Sequence, residues 1–152
     1  MEIVMQRFRD LDLIIDQVHE IFEQWIDDGS FSATPHPEML EMLKLSVHEW
    51  MANIIQHAKF EDRQPEVVLD MTPNGKSIYC VIEDNSEGFD LNERLVIQQA
   101  ALEALPERGM GLLILKTCTD HLTYTQVETG RFRLEFSVSA DNDSCLNIPF
   151  WS

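Results

Sequence analysis

Two strand–turn–strand patterns constrain most of what this chain can become. Residues 66–72 (EVVLDMT) and 76–84 (KSIYCVIED) are β-branched runs joined by Pro73-Asn74-Gly75, and residues 122–128 (LTYTQVE) and 131–139 (RFRLEFSVS) flank Thr129-Gly130. Such pairs of runs around turn residues fold as antiparallel hairpins. In the last run Phe132, Leu134, Phe136 and Val138 alternate with polar residues, so one face of the sheet is apolar and must be covered. Two helical patterns can cover it. Leu11, Ile14, Ile15, Val18, Ile21, Phe22 and Trp25 fall near i, i+3, i+4, i+7 spacing over residues 11–26, the stripe of an amphipathic helix. Residues 38–58 carry Met39, Met42, Leu45, Val47, Trp50, Met51, Ile54 and Ile55 over a broad face, as expected of a helix lying on a sheet.

The remaining segments are shorter. Residues 85–94 read as a polar loop, residues 95–105 as a short helix ended by Pro106, and residues 110–119 as a buried helix that on run length alone could also be a strand. The expected order is ααββ(α)αββ in one domain of residues 1–140. A tail of residues 141–152 carries Ile148, Phe150 and Trp151 after a polar break.

Charge narrows the partners. Eleven Lys and Arg against 27 Asp and Glu give a net charge of −16, which repels phosphate backbones and anionic lipid heads, so neither nucleic acid nor a membrane surface is expected as a partner. The N-terminal residues lack the basic region of a signal peptide and no 18-residue apolar run occurs. Cys80, Cys118 and Cys145 are three in number and widely spaced, which predicts reduced thiols and a cytoplasmic protein.

Three groups of residues can carry chemistry. Glu49, Asn53 and His57 recur at i, i+4, i+8 along one stripe of the second helix. A carboxylate and an amide oxygen one turn apart suit a hard cation or a hydrolytic water; the plainer reading is a solvated helix face with a capping histidine. Asp84 ends a strand and opens DNSEGFD, where it can accept from an exocyclic amine or simply bond its own loop in an Asx-turn. Gly109 and Gly111 in RGMGLLIL precede a helical run, giving free N–H groups and a helix dipole that attract phosphate. Arg108 is a bidentate phosphate donor beside them, or a surface arginine paired with a carboxylate.

Taken in order, ExxxNxxxH at Glu49–His57, DxxxGF at Asp84–Phe89 and GMGLLIL at Gly109–Leu115 resemble the ATP-binding boxes of the GHKL superfamily. VHEWMANIIQHA and the short connector between the second and third boxes are similar to those of the anti-sigma-factor serine kinases, over nearly the whole chain. The resemblance implies a GHKL-type fold, an α/β (α+β) two-layer sandwich whose mixed, mainly antiparallel sheet carries helices on one face. It implies ATP and Mg²⁺ as ligands, with Asn53 on the metal and Glu49 as the base for an attacking protein serine. His57 would support the site, Asp84 would bond the adenine amino group, and Gly88 and Phe89 would line the base. Arg108, Gly109, Met110, Gly111 and Leu112 would face the phosphates. It further implies a homodimer that sequesters a sigma factor and phosphorylates an anti-anti-sigma antagonist. Ser86 stands where the family places the first glycine of its second box. If that position needs positive φ, serine strains the loop.

Two other functions compete with the kinase. A nucleotide-responsive protein-binding module would keep the fold without catalysis. A metal-dependent hydrolase using Glu49 and His57 would leave the glycine boxes unexplained.

Overall fold

The computed structural model describes residues 4–29, 37–74, 76–104 and 111–139. In chain order it comprises β1 (Val4–Phe8), α1 (Ile14–Asp27), α2 (Pro37–His57), β2 (Val67–Asn74), β3 (Ser77–Asp84), α3 (Leu91–Ala104), α4 (Gly111–Cys118), β4 (Asp120–Glu128) and β5 (Arg131–Ser139). The strands form one sheet of order β1-β2-β3-β5-β4, and every pairing is antiparallel. Among the described residues the sheet has no parallel pair, where a mixed, mainly antiparallel sheet was expected. Both hairpins are present, and β2 runs two residues further than its sequence signal, pairing Asn74 with Ser77.

One face of the sheet supplies the core. Leu69 and Met71 of β2, Ile78, Cys80 and Ile82 of β3 and Leu134, Phe136 and Val138 of β5 are buried, while the residues between them face outward. Onto this face pack Ile14, Val18 and Phe22 of α1, Met39, Leu43, Val47, Trp50, Met51 and Ile54 of α2, and Leu112, Leu115 and Cys118 of α4. The segment at 111–118 is thus a helix, resolving the helix-or-strand ambiguity. Each fully buried Leu, Ile, Val or Met adds about 1.5–3 kcal/mol from burial, so α2, with the longest buried face, is the element the rest folds around.

Two elements depart from expectation. β1 lies in a segment given no strand signal; it pairs with β2 from Val4↔Met71 to Phe8↔Val67. α3 begins at Leu91 rather than 95, because Asp90 Oδ1 accepts from the Glu93 amide at 3.0 Å and satisfies one of the donors a helix start leaves open.

The outer sheet face is polar and carries an ion-pair ladder. Arg131 reaches Glu66 and Glu83 at 3.4 Å each, Arg133 reaches Glu83 at 3.0 Å and Glu135 at 3.5 Å, and Arg7 of the edge strand and Arg9 just beyond it approach Glu66. Cys118 is disulfide-bonded, which corrects the expectation of three reduced thiols: spacing along the chain does not report the through-space distance on which a disulfide depends. Cys80 is a free, fully buried thiol whose pKa burial pushes well up. Among the described residues no helix is long and apolar enough to cross a membrane.

Candidate functional site

The stripe on α2 sits where the helix leaves the core and meets α4. Glu49 is half-buried and its carboxylate lies against the start of α4: a Cβ built on Gly111 would stand 2.5 Å from Glu49 Oε2. A side chain at position 111 would make the Glu49 carboxylate swing aside. Burial raises the pKa of Glu49, and the positive charge of neighbouring His48 offsets only part of that rise. The result is a carboxylate that holds a proton more tightly than a free one, the property a general base needs. One turn on, Asn53 is 5% exposed and its Nδ2 has no hydrogen-bond partner. A buried amide donor without a partner costs about 1–3 kcal/mol, and an acceptor oxygen would satisfy it; the Ser46 and Tyr124 hydroxyls and Trp50 Nε1 are in the same state. His57 closes the helix, half-buried, its pKa lowered by burial and by the charge of Arg94 on α3.

The second box is a fixed loop. Asp84, 1% exposed, accepts at Oδ1 from the Ser86 amide at 2.9 Å and from the Ser86 hydroxyl, and the same hydroxyl accepts from the Gly88 amide at 3.0 Å. The Asx-turn reading of Asp84 is thus realised. Ser86 does not take positive φ, which is confined to Glu61 and His121 among the described non-glycine residues. The expected strain is absent; its hydroxyl instead bridges the carboxylate and the loop. Burial raises the pKa of Asp84, opposed by the two Ser86 bonds and by Arg131.

The loop is clamped from behind. Asn85 Nδ2 donates to the Gln64 carbonyl at 2.9 Å, its Oδ1 accepts from the Glu66 amide at 2.8 Å, and Arg63 donates to the Asn85 carbonyl at 2.7 Å and to Glu87 at 2.5 Å. Sequence reading missed Asn85 and Arg63. Asn85 at least could have been suspected, since asparagine after a strand commonly bonds neighbouring backbone.

Gly88 has φ of +73°, and a Cβ there would run into the Phe132 ring. Phe132 faces Asp84 across β3 and β5 and belongs to an aromatic cluster. Its ring stacks on Tyr124 at 5.3 Å, Tyr124 meets Trp50 and Phe89 at 5.1 Å each, and Trp50 meets Phe89 at 5.5 Å. Phe89 of the second box thus joins α2 to the sheet. Burial and the nearby Asp84 charge push the Tyr124 phenol well up.

The third wall is α4. Its Leu112 and Leu113 amides donate to Gln98 Oε1 of α3 at 2.9 and 3.3 Å. Gln98 carries no sequence signal, being one polar residue in a weakly amphipathic helix. Gly111 and Leu112 open the helix, with Leu112 buried. Arg108, Gly109 and Met110 lie outside the described residues, as does the 141–152 tail. Among the described residues no three His, Cys, Asp or Glu side chains gather to hold a metal.

A half-buried carboxylate at a helix N-terminus, an unpartnered buried amide and a glycine-bearing loop after a strand form one constellation. Over 96 residues the chain is 25% identical to the serine-protein kinase RsbW of Bacillus licheniformis, covering 60% of this chain and 59% of that protein. Over 88 residues it is 26% identical to RsbW of Bacillus subtilis (strain 168), covering 55% of each. Over 89 residues it is 33% identical to RsbW of Bacillus thuringiensis (strain Al Hakam), covering 55% and 54%. The matches span a little over half the length of these curated relatives. The family model for the histidine kinase-like ATPase domain matches residues 15–134, from α1 into β5 and across all three boxes, and the chain belongs to that family.

Proposed function

We propose that the chain is an ATP-dependent serine-protein kinase of the anti-sigma-factor type. In this reading it binds a sigma factor, phosphorylates a serine of an antagonist protein, and acts as a homodimer. The observation that carries it is the pairing on α2: Glu49, with raised proton affinity, against the start of α4, and Asn53, buried with an unpartnered amide, one turn on. The names of the similar proteins, serine-protein kinases, support the reaction type.

The residues present fit Mg-ATP. Asn53 would hold the metal, Asp84, Gly88 and Phe89 the base, and Gly111 and Leu112 the phosphates, joined by Arg108, Gly109 and Met110 on their sequence positions. When bound, Mg-ATP supplies a transferable phosphoryl group whose charge the metal partly neutralises. The chain's own part is positional. Glu49 would take the serine hydroxyl proton, its partial burial keeping the carboxylate basic. The start of α4 presents the positive end of a helix dipole, its Leu112 and Leu113 amides being held by Gln98 until a ligand takes them, and the clamped second box holds Asp84 in register with β5.

Thermal unfolding with and without Mg-ATP tests the reading. At ~100 Kd, binding to the folded state adds about 2.7 kcal/mol, a rise of roughly 5–10 °C for a chain of this length. The rise should shrink in Asn53→Ala. Phosphotransfer to a serine-bearing antagonist should vanish in Glu49→Gln while the thermal shift stays. Asp84, 1% exposed and already bonded by Ser86, bears on nucleotide affinity, which the kinase shares with the non-catalytic module. Nucleotide binding with antagonist capture but no phosphotransfer in the native protein would select it, and no thermal shift at millimolar ATP would refute the kinase.

A further inference from the structure

The first amides of a helix have no partner within it and normally face water, a capping side chain or an anion. At α4 the partner comes from another helix. Gln98 Oε1 on α3 accepts from both Leu112 and Leu113 at 2.9 and 3.3 Å, a neutral oxygen on the two donors that an incoming phosphate oxygen would use. Gly111 leaves no side chain at the helix start, Glu49 fills that space, and Asn53, buried and with Nδ2 unpartnered, follows one turn on along α2.

We infer that Gln98 is the residue a phosphate-bearing ligand must displace from α4, and so the residue that sets the affinity of the site. This rests on the nucleotide reading above and adds its regulation. While Gln98 caps α4, the phosphate-competent arrangement is a minority, and apparent affinity falls by that fraction. Displacement also frees α3 from its tie to α4, so anything that moves α3 changes phosphate affinity, and phosphate in turn acts on α3 with equal coupling.

The experiment compares the full chain with Gln98→Ala and Gln98→Glu, titrated calorimetrically with Mg-ATP and with Mg-pyrophosphate. Gln98→Ala removes the competing oxygen, keeps helix propensity, and should bind both ligands roughly 3- to 10-fold tighter. Gln98→Glu retains an acceptor and adds negative charge, so it should bind both at least about 10-fold more weakly. Without ligand, the Leu112 and Leu113 amides should exchange hydrogen faster in Gln98→Ala than in the native protein, and Mg-ATP should restore their protection. If the native protein binds Mg-ATP and Gln98→Ala binds it no tighter, the inference falls and the nucleotide reading stands. If neither protein binds either ligand, both fall.

Discussion

Replacing Gly88 by alanine tests the geometry of the second box most directly. Two costs add there. The backbone at φ +73° is left-handed, which charges an L-residue about 1–2 kcal/mol. The new methyl would also enter the edge of the Phe132 ring. That ring cannot swing aside freely, because it stacks on Tyr124, which is packed in turn on Trp50 and Phe89. Overpacking of this kind costs about 1–3 kcal/mol. Together they give about 2–5 kcal/mol, which for a chain of this length lowers Tm by roughly 5–15 °C. Urea unfolding of Gly88→Ala, Phe132→Leu and the double variant separates the terms. The double variant should recover about 1–3 kcal/mol of the crowding and none of the backbone cost. A single variant within about 0.5 kcal/mol of the native protein would refute the argument; an equal penalty in both Phe132 backgrounds would refute the crowding half.

Two further predictions rest on charge. Because burial raises the pKa of Glu49, the folded state holds that proton more tightly than the unfolded one. Its stabilising contribution is complete below the usual carboxylate range and lost as pH rises through the raised value. Glu49→Gln should therefore gain Tm relative to the native protein as pH rises from about 4 to 7; a difference independent of pH would sink this account. Glu83 accepts from Arg133 Nε at 3.0 Å and from Arg131 Nη1 at 3.4 Å, so Glu83→Gln should cost about 1 kcal/mol at low salt and less in 1 M salt. A salt-independent loss would assign the cost to packing instead.

The hairpins and the long helices were legible because burial imposes a period on each. The alternation of Phe132, Leu134, Phe136 and Val138 and the stripe on α1 are written one residue at a time. β1 was not legible. It is a short edge strand carrying Arg7, and its pairing with β2 lies more than 50 residues away along the chain. The start of α3 was legible in principle, since Asp90-x-x-Glu93 is a helix-start pattern. The site divided in the same way. Glu49, Asn53, Asp84 and Gly88 announced themselves by spacing and residue type. Ser86 stands out in the sequence but its role does not, because what it does depends on where its hydroxyl points. Gln98, Tyr124 and Arg63 act through contacts between elements distant in sequence, and no local pattern marks them.

The ladder on the outer sheet face bears on how charged molecules approach the protein. Arg7, Arg9, Arg131 and Arg133 are answered there by Glu66, Glu83, Glu128 and Glu135, so these eight charges cancel and the net −16 is carried entirely by the rest of the chain. A triphosphate therefore diffuses toward a body of its own sign. Where electrostatic steering normally makes encounter fastest in dilute buffer, added salt should here screen the repulsion and quicken nucleotide capture, while a basic protein surface would be drawn in fastest at low ionic strength.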